Sequence, residues 1–191
     1  MTGAMAAERI LQSQGIYDVR IERVSGRLTD HYDPSAKVLR LSDVTYDNAS
    51  VAAVGVAAHE CGHALQHARG YAPLKIRGSL VPVANLGSYA GMILFMVGLF
   101  FSSAVGNTLL TVGILLFSAA VLFQLVTLPV EFDASARAIR LLESTGILGQ
   151  SELKDSKKVL RAAALTYVAG AATAIIQLAR LLMIAGGRSR D

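Results

Sequence analysis

The 191-residue sequence is 53% hydrophobic and only 17% charged, with a formal net charge of +4. A chain this short cannot bury so much apolar surface in one soluble globule, so the composition argues against an ordinary soluble domain and predicts membrane-embedded segments. Basic residues are not interleaved with aromatics, which excludes a typical nucleic-acid surface, and the single cysteine, Cys61, excludes an internal disulfide.

The N-terminal part of the sequence predicts a helix, a small sheet and a second helix. Residues 3–14 are amphipathic and are typical of a short helix. Residues 16–26 and 37–42 have the composition of β-strands and predict at least a hairpin. Between them lies a turn-rich stretch with His31, which we expect to be an exposed loop residue. Cap-forming residues at both ends of residues 47–70 then predict a helix of about twenty residues.

Apolar segments dominate the rest of the chain. Residues 78–130 contain no Asp, Glu, Lys, Arg or His, and predict two spans that can each cross a bilayer core of about 30 Å. The short uncharged link at 102–107 makes them an antiparallel pair, and the basic outer flanks indicate that both ends lie in the cytoplasm. A buried soluble helix pair is the alternative. Residues 165–185 predict a third span with Gln177 and Arg180 turned inward or towards an interface, or a helix lying against the other two.

The helix predicted at 47–70 contains His-Glu-Cys-Gly-His, in which His59 and His63 are four residues apart. Side chains at this spacing project from one helix face, so both imidazoles can bind a single Zn²⁺. Glu60 lies beside the first ligand, where it can accept a proton from the attacking water without binding the metal. The pattern therefore predicts zinc-dependent peptide hydrolysis with Glu60 as general base.

A catalytic zinc site needs a third protein ligand. His67 lies about 12 Å along the helix from the first ligand, so we expect it to be a supporting or surface residue. Cys61 points to another side of the helix, and we expect it to be a buried structural thiol. Glu131 is the better candidate, because it follows the uncharged hairpin that returns the chain toward the motif; the alternative is a glutamate that only marks the membrane boundary. Asp133 or Ser135 could orient a ligand histidine.

Two further features have open interpretations. Tyr167 lies near the start of the last apolar segment. It could donate a hydrogen bond to the oxyanion of the reaction, or it could anchor the helix at the membrane interface. The strand predicted at 37–42 could pair with an extended substrate backbone.

The stretches VAAHECGHALQH, LPVEFDASARA and LRAAALTYVAGA resemble signatures of the YugP-like membrane-bound neutral zinc metallopeptidases. The likeness extends over nearly the whole chain. More distantly, the sequence is similar to the HtpX and CAAX-prenyl protease clan, in which a Glu-x-x-x-Asp helix follows the histidine motif. Members of the first family commonly carry a further membrane helix ahead of the region where this sequence begins.

The resemblance implies a gluzincin-like protease of the bacterial inner (plasma) membrane. Zinc would be bound by His59, His63 and Glu131, with Glu60 as general base. In the more distant clan the aspartate supports a ligand histidine, and here Ser135 occupies that position.

These observations together predict a mainly α membrane protein with a small β-hairpin or sheet, a gluzincin-like zinc metallopeptidase core and two or three transmembrane helices. We expect one domain over residues 1–191. Residues 1–79 would hold a helix, the sheet and the motif helix, residues 80–128 the transmembrane hairpin, and residues 129–191 the third-ligand helix and the C-terminal apolar helix.

The predicted function is a membrane-anchored zinc endopeptidase. Its active site would lie at the cytoplasmic face, its substrates would be proteins or peptides, and its surroundings a lipid bilayer without nucleic acid. The alternative is a membrane-embedded zinc-binding scaffold or pseudoprotease that regulates a partner protein. An intramembrane site-2-type protease is disfavoured, because basic residues follow the motif and the Leu-Asp-Gly sequence of that class is absent. The sequence indicates no oligomeric state.

Overall fold

The computed structural model describes residues 1–188, which form six helices and three strands. The elements are α1 Gly3–Ser13, β1 Arg20–Val24, β2 His31–Asp33, β3 Val38–Ser42, α2 Asp43–Tyr46, α3 Val51–Ala68, α4 Ala72–Leu99, α5 Ala104–Ser144 and α6 Gln150–Arg188. The predicted fold class is confirmed: the chain is mainly helical, with a small sheet and, in the described residues, three helices long and apolar enough to cross a membrane, α4, α5 and α6.

The described chain divides into two compact units. The first unit comprises Met1–Leu74 and Val130–Leu165, and the second comprises Lys75–Pro129 and the described part of Thr166–Asp191. The boundaries fall inside α4, α5 and α6, so each of these long helices contributes residues to both units.

Helix capping explains the bounds of the two N-terminal helices. The Thr2 hydroxyl accepts a hydrogen bond from the Met5 N–H at 3.3 Å and starts α1, and the Ser50 hydroxyl accepts from the Ala53 N–H at 3.2 Å and starts α3. Beyond α3 the chain turns at Gly70, whose φ of +64° is strained for other residues. Both helices bury small residues against each other in the first unit, among them Ala6, Ala7, Ala57, Ala58 and Cys61.

The sheet differs from the predicted hairpin. Its order is β1-β3-β2, with β1 parallel and β2 antiparallel to β3. The stretch predicted as a turn contains β2, which begins at the exposed His31; the Asp33 carboxylate accepts hydrogen bonds from the Ser35 and Ala36 N–H groups and closes the tight turn between β2 and β3. Because β3 is paired on both sides, the prediction that residues 37–42 pair with substrate is wrong.

Helices α3 and α5 approach closely in the first unit. Val130, Ala134 and Ala138 lie at four-residue intervals on one buried face of α5. A Cβ atom added to Gly62 of α3 would lie 2.5 Å from the Ala134 carbonyl oxygen, closer than real Cβ atoms come. The absence of a side chain at Gly62 therefore permits this contact, which also brings Glu131 to α3.

The second unit holds the apolar helices. α4 and α5 meet at small residues: a Cβ added to Gly91 would lie 2.9 Å from the Gly113 carbonyl oxygen. The second predicted span and the predicted third-ligand helix form one helix, because α5 continues through Pro129, as membrane helices with a proline often do. Of the two polar residues in the last apolar segment, Gln177 is half-buried and Arg180 is exposed.

Replacing Gly62 by alanine is expected to lower the free energy of unfolding by about 1–3 kcal/mol, the usual cost of an added methyl group in a packed interior. Both atoms in the contact are fixed by helix backbones, so relief requires the helices to separate. Gly78→Ala is the matched control, since its added Cβ meets nothing within 4 Å and should be neutral or slightly stabilising. Thermal unfolding in one detergent compares the variants, and equal melting temperatures would contradict the close approach.

Candidate metal centre

The structure brings the three predicted metal ligands together in the first unit. His59 and His63 lie on α3 and Glu131 on α5, and one donor atom from each lies within 4.8 Å of the others. Glu131 Oε2 is 3.2 Å from His59 Nε2 and 3.6 Å from His63 Nε2. The imidazole rings are edge to face, with centroids 4.8 Å apart. The three side chains thus converge on one point.

Burial and negative charge make this point favourable for a cation. Glu131 is 2% exposed and His63 8%, whereas His59 is only half-buried and marks the accessible side. Burial alone lowers the pKa of His63, but hydrogen bonding to Glu131 and the nearby negative charge of Glu60 raise that pKa above its ordinary value. The same charges would favour a divalent metal ion between the rings.

The outer ring nitrogens of both histidines have protein partners. His59 Nδ1 lies 3.1 Å from the Ser135 hydroxyl, and His63 Nδ1 lies 3.0 Å from Gln66 Oε1. An amide oxygen only accepts, so a neutral His63 would carry its proton on Nδ1 and present the Nε2 lone pair to a metal. Two imidazoles and one carboxylate, held in this way, are the donor set of catalytic His₂Glu zinc sites, and the residues fit a zinc ion.

Gln66 is the site residue that sequence reasoning missed. It is fully buried, and its Nε2 donates to the Val130 carbonyl and to Asp133 Oδ2, both at 2.8 Å. These two acceptors orient the amide so that its oxygen faces His63. The sequence did contain a sign of this role: Gln66 follows His63 by three residues in a helix with few other polar side chains.

The two residues proposed to orient a histidine have different contacts. Ser135 contacts His59 directly. In the described residues, Asp133 contacts neither His59 nor His63. It accepts hydrogen bonds from Gln66 and, at 2.6 Å, from Arg137 Nε. Asp133 therefore acts on His63 only through Gln66.

Three other candidate residues lie off the metal centre or outside its unit. His67 Nδ1 pairs with the Tyr32 hydroxyl at 2.8 Å, and burial raises the pKa of Tyr32 to about 12. Cys61 is 1% exposed, its thiol faces the Ala7 carbonyl of α1, and burial raises its pKa. Tyr167 lies on α6 in the second unit, so its predicted catalytic role stays a prediction.

Known proteins resemble this chain over almost its full length. Residues 1–186 match the family described as "Putative neutral zinc metallopeptidase". The protein "Putative membrane protease YugP" of Bacillus subtilis (strain 168) is 49% identical over 183 residues, which cover 96% of this chain and 80% of that protein. No solved structure matches the chain. The matched region includes every residue of the candidate metal centre.

Replacing Gln66 by methionine is expected to weaken zinc binding roughly 10- to 100-fold, the usual effect of removing a partner of a ligand histidine. Methionine has a similar volume but cannot accept the His63 Nδ1–H or bridge to α5. Competition with a zinc chelator measures the affinity. Gln12→Met, at an exposed position of α1, is the control, and unchanged affinity in Gln66→Met would contradict the role of the amide.

Proposed function

Because this chain belongs to the neutral zinc metallopeptidase family, we propose that it is a membrane-anchored zinc endopeptidase in which Glu60 is the general base. One observation carries the proposal: donor atoms of His59, His63 and Glu131 lie within 4.8 Å of one another, next in sequence to a buried glutamate. Glu60 is 8% exposed and directly follows the first histidine on α3.

A zinc ion held by His59, His63 and Glu131 would supply a Lewis acid that polarises the peptide carbonyl and lowers the pKa of water. The two histidine side chains are already oriented by other residues of the protein. Ser135 fixes the His59 ring and Gln66 fixes the His63 ring, so little conformational freedom is lost when substrate binds.

Glu60 has the features of a proton acceptor. Among the described residues its carboxylate makes no hydrogen bond or ion pair, although it is nearly buried. A carboxylate committed to a structural partner would be a poor base, whereas this one can take a proton from the attacking water and return it to the leaving amine nitrogen.

The charges beside the apolar helices support one orientation in the membrane. Lys75 and Arg77 lie at the start of α4, while residues 100–103 between α4 and α5 carry no charge. The positive-inside rule supports a cytoplasmic position for the start of α4. The proposed active site then faces the cytoplasm, and its substrates are proteins or peptides.

Replacing Glu60 by glutamine is expected to lower peptide hydrolysis roughly 10²- to 10⁴-fold while zinc content stays unchanged, because the amide keeps the shape but cannot accept the proton. Purified protein in detergent would be assayed on an unstructured protein substrate, with metal analysis of the same samples.

The exposed Glu8→Gln on α1 is the matched control and should keep full activity. Full activity in Glu60→Gln would reject the assigned base. A wild-type protein without stoichiometric zinc would reject the metalloenzyme, and a zinc-loaded but inactive wild type would favour the regulatory scaffold.

Tyr167 remains our candidate donor to the oxyanion, and Tyr167→Phe tests it. Loss of the hydroxyl should lower kcat about 10²- to 10³-fold with KM and zinc content unchanged. The control is Tyr89→Phe, at a position on α4 whose side chain is 78% exposed. Wild-type kcat in Tyr167→Phe would instead assign Tyr167 to anchoring at the interface.

A further inference from the structure

Arg180 presents an unpaired charge on a membrane helix. Arg180 is the only ionisable residue of the Asp, Glu, Lys, Arg and His types in the apolar segment 165–185 of α6. It is exposed, and it makes no hydrogen bond or ion pair with other described residues. A guanidinium that faces hydrocarbon without a partner is energetically costly. The charge therefore needs a partner beyond the described residues.

The position of Arg180 along α6 indicates which chemistry can reach it. Eight residues later, Arg188 donates hydrogen bonds to the carbonyls of Leu99, at 2.8 Å, and Phe101, at the turn between α4 and α5. Eight residues of helix span about 12 Å, so Arg180 lies within one half of a bilayer core of about 30 Å. Its long side chain can extend toward the headgroup region on the side of that turn.

A second copy of this chain cannot neutralise Arg180 at that depth. The segments 78–130 and 165–185 contain no aspartate or glutamate. The anion that the bilayer itself supplies is the phospholipid phosphate, to which a guanidinium can donate two parallel hydrogen bonds.

The face of α6 around Arg180 suits such a lipid. Ile176 and Met183, at i−4 and i+3, lie on the same face and are 69% and 70% exposed. Gly187, one heptad further toward the helix end, leaves open space, since a Cβ added there meets nothing within 4 Å. The face thus combines a cation with an exposed apolar residue on either side of it along the helix and a small residue nearer the headgroups.

We propose that this face, Ile176–Arg180–Met183–Gly187, binds a phospholipid, with the Arg180 guanidinium on the phosphate and the acyl chain along Ile176. The site lies outside the proposed zinc centre and does not depend on it. A lipid held there would cover part of α6. Only 11% of the apolar 18-residue stretch of this helix is buried by the described protein.

The test uses the full chain purified in detergent, with and without added dioleoyl phosphatidylglycerol. Native mass spectrometry measures retained lipid, and thermal unfolding measures the lipid-induced rise in Tm. Wild type and Arg161→Gln, an exposed arginine on α6 before the apolar segment, should bind lipid and gain Tm. Arg180→Gln should lose most of both signals. A wild-type lipid response in Arg180→Gln would overturn the proposal.

Two further arms identify the ligand without relying on the variant's folding. Monoolein, which has an acyl chain but no phosphate, and inorganic phosphate alone should each leave the Tm of the wild type unchanged. An equal rise with monoolein would reject recognition of the phosphate, and an equal rise with inorganic phosphate would reject a lipid in favour of a free anion. Loss of a copurifying protein from Arg180→Gln, with the lipid response intact, would assign the charge to a protein carboxylate.

Discussion

The candidate metal centre depends on one packing constraint, the contact between the α3 and α5 backbones at Gly62. Because this position has no side chain, the Ala134 carbonyl reaches the surface of α3. The neighbouring residues of α5 then meet the histidines: Glu131 lies near both Nε2 atoms and Ser135 near His59 Nδ1. One small residue between two histidines thus determines the distance at which the carboxylate and the hydroxyl are held.

Much of the fold and of this site could be predicted from local patterns. The four-residue spacing of His59 and His63 defines a shared helix face, and the uncharged hairpin explains why Glu131 returns to that face. The partner of His63 could not be predicted in this way. The orientation of Gln66 depends on acceptors contributed by α5, and no periodicity in the sequence specifies how deeply two helices interpenetrate.

The errors in the predicted elements also have local causes. The strand β2 is three residues long and lies in a turn-rich stretch, so its pairing with β3 comes from the Asp33 turn and not from a visible pattern. Pro129 and the charged residues after it resemble the end of a helix, but the buried face from Val130 onward continues α5. At Arg180, the usual rule that an intramembrane charge pairs within the protein does not hold among the described residues, none of which pairs with it.

The distance in sequence between the proposed ligands bears on how the protein matures. Glu131 lies 68 positions after His63, and the uncharged segment 78–130 lies between them. During synthesis the two histidines emerge first, and two imidazoles alone are an incomplete zinc site. The carboxylate joins them only after the hairpin has been made and α5 has docked on α3. Metal capture at the proposed site would therefore be coupled to folding, so a nascent chain stalled before membrane insertion would lack the complete set of donor atoms.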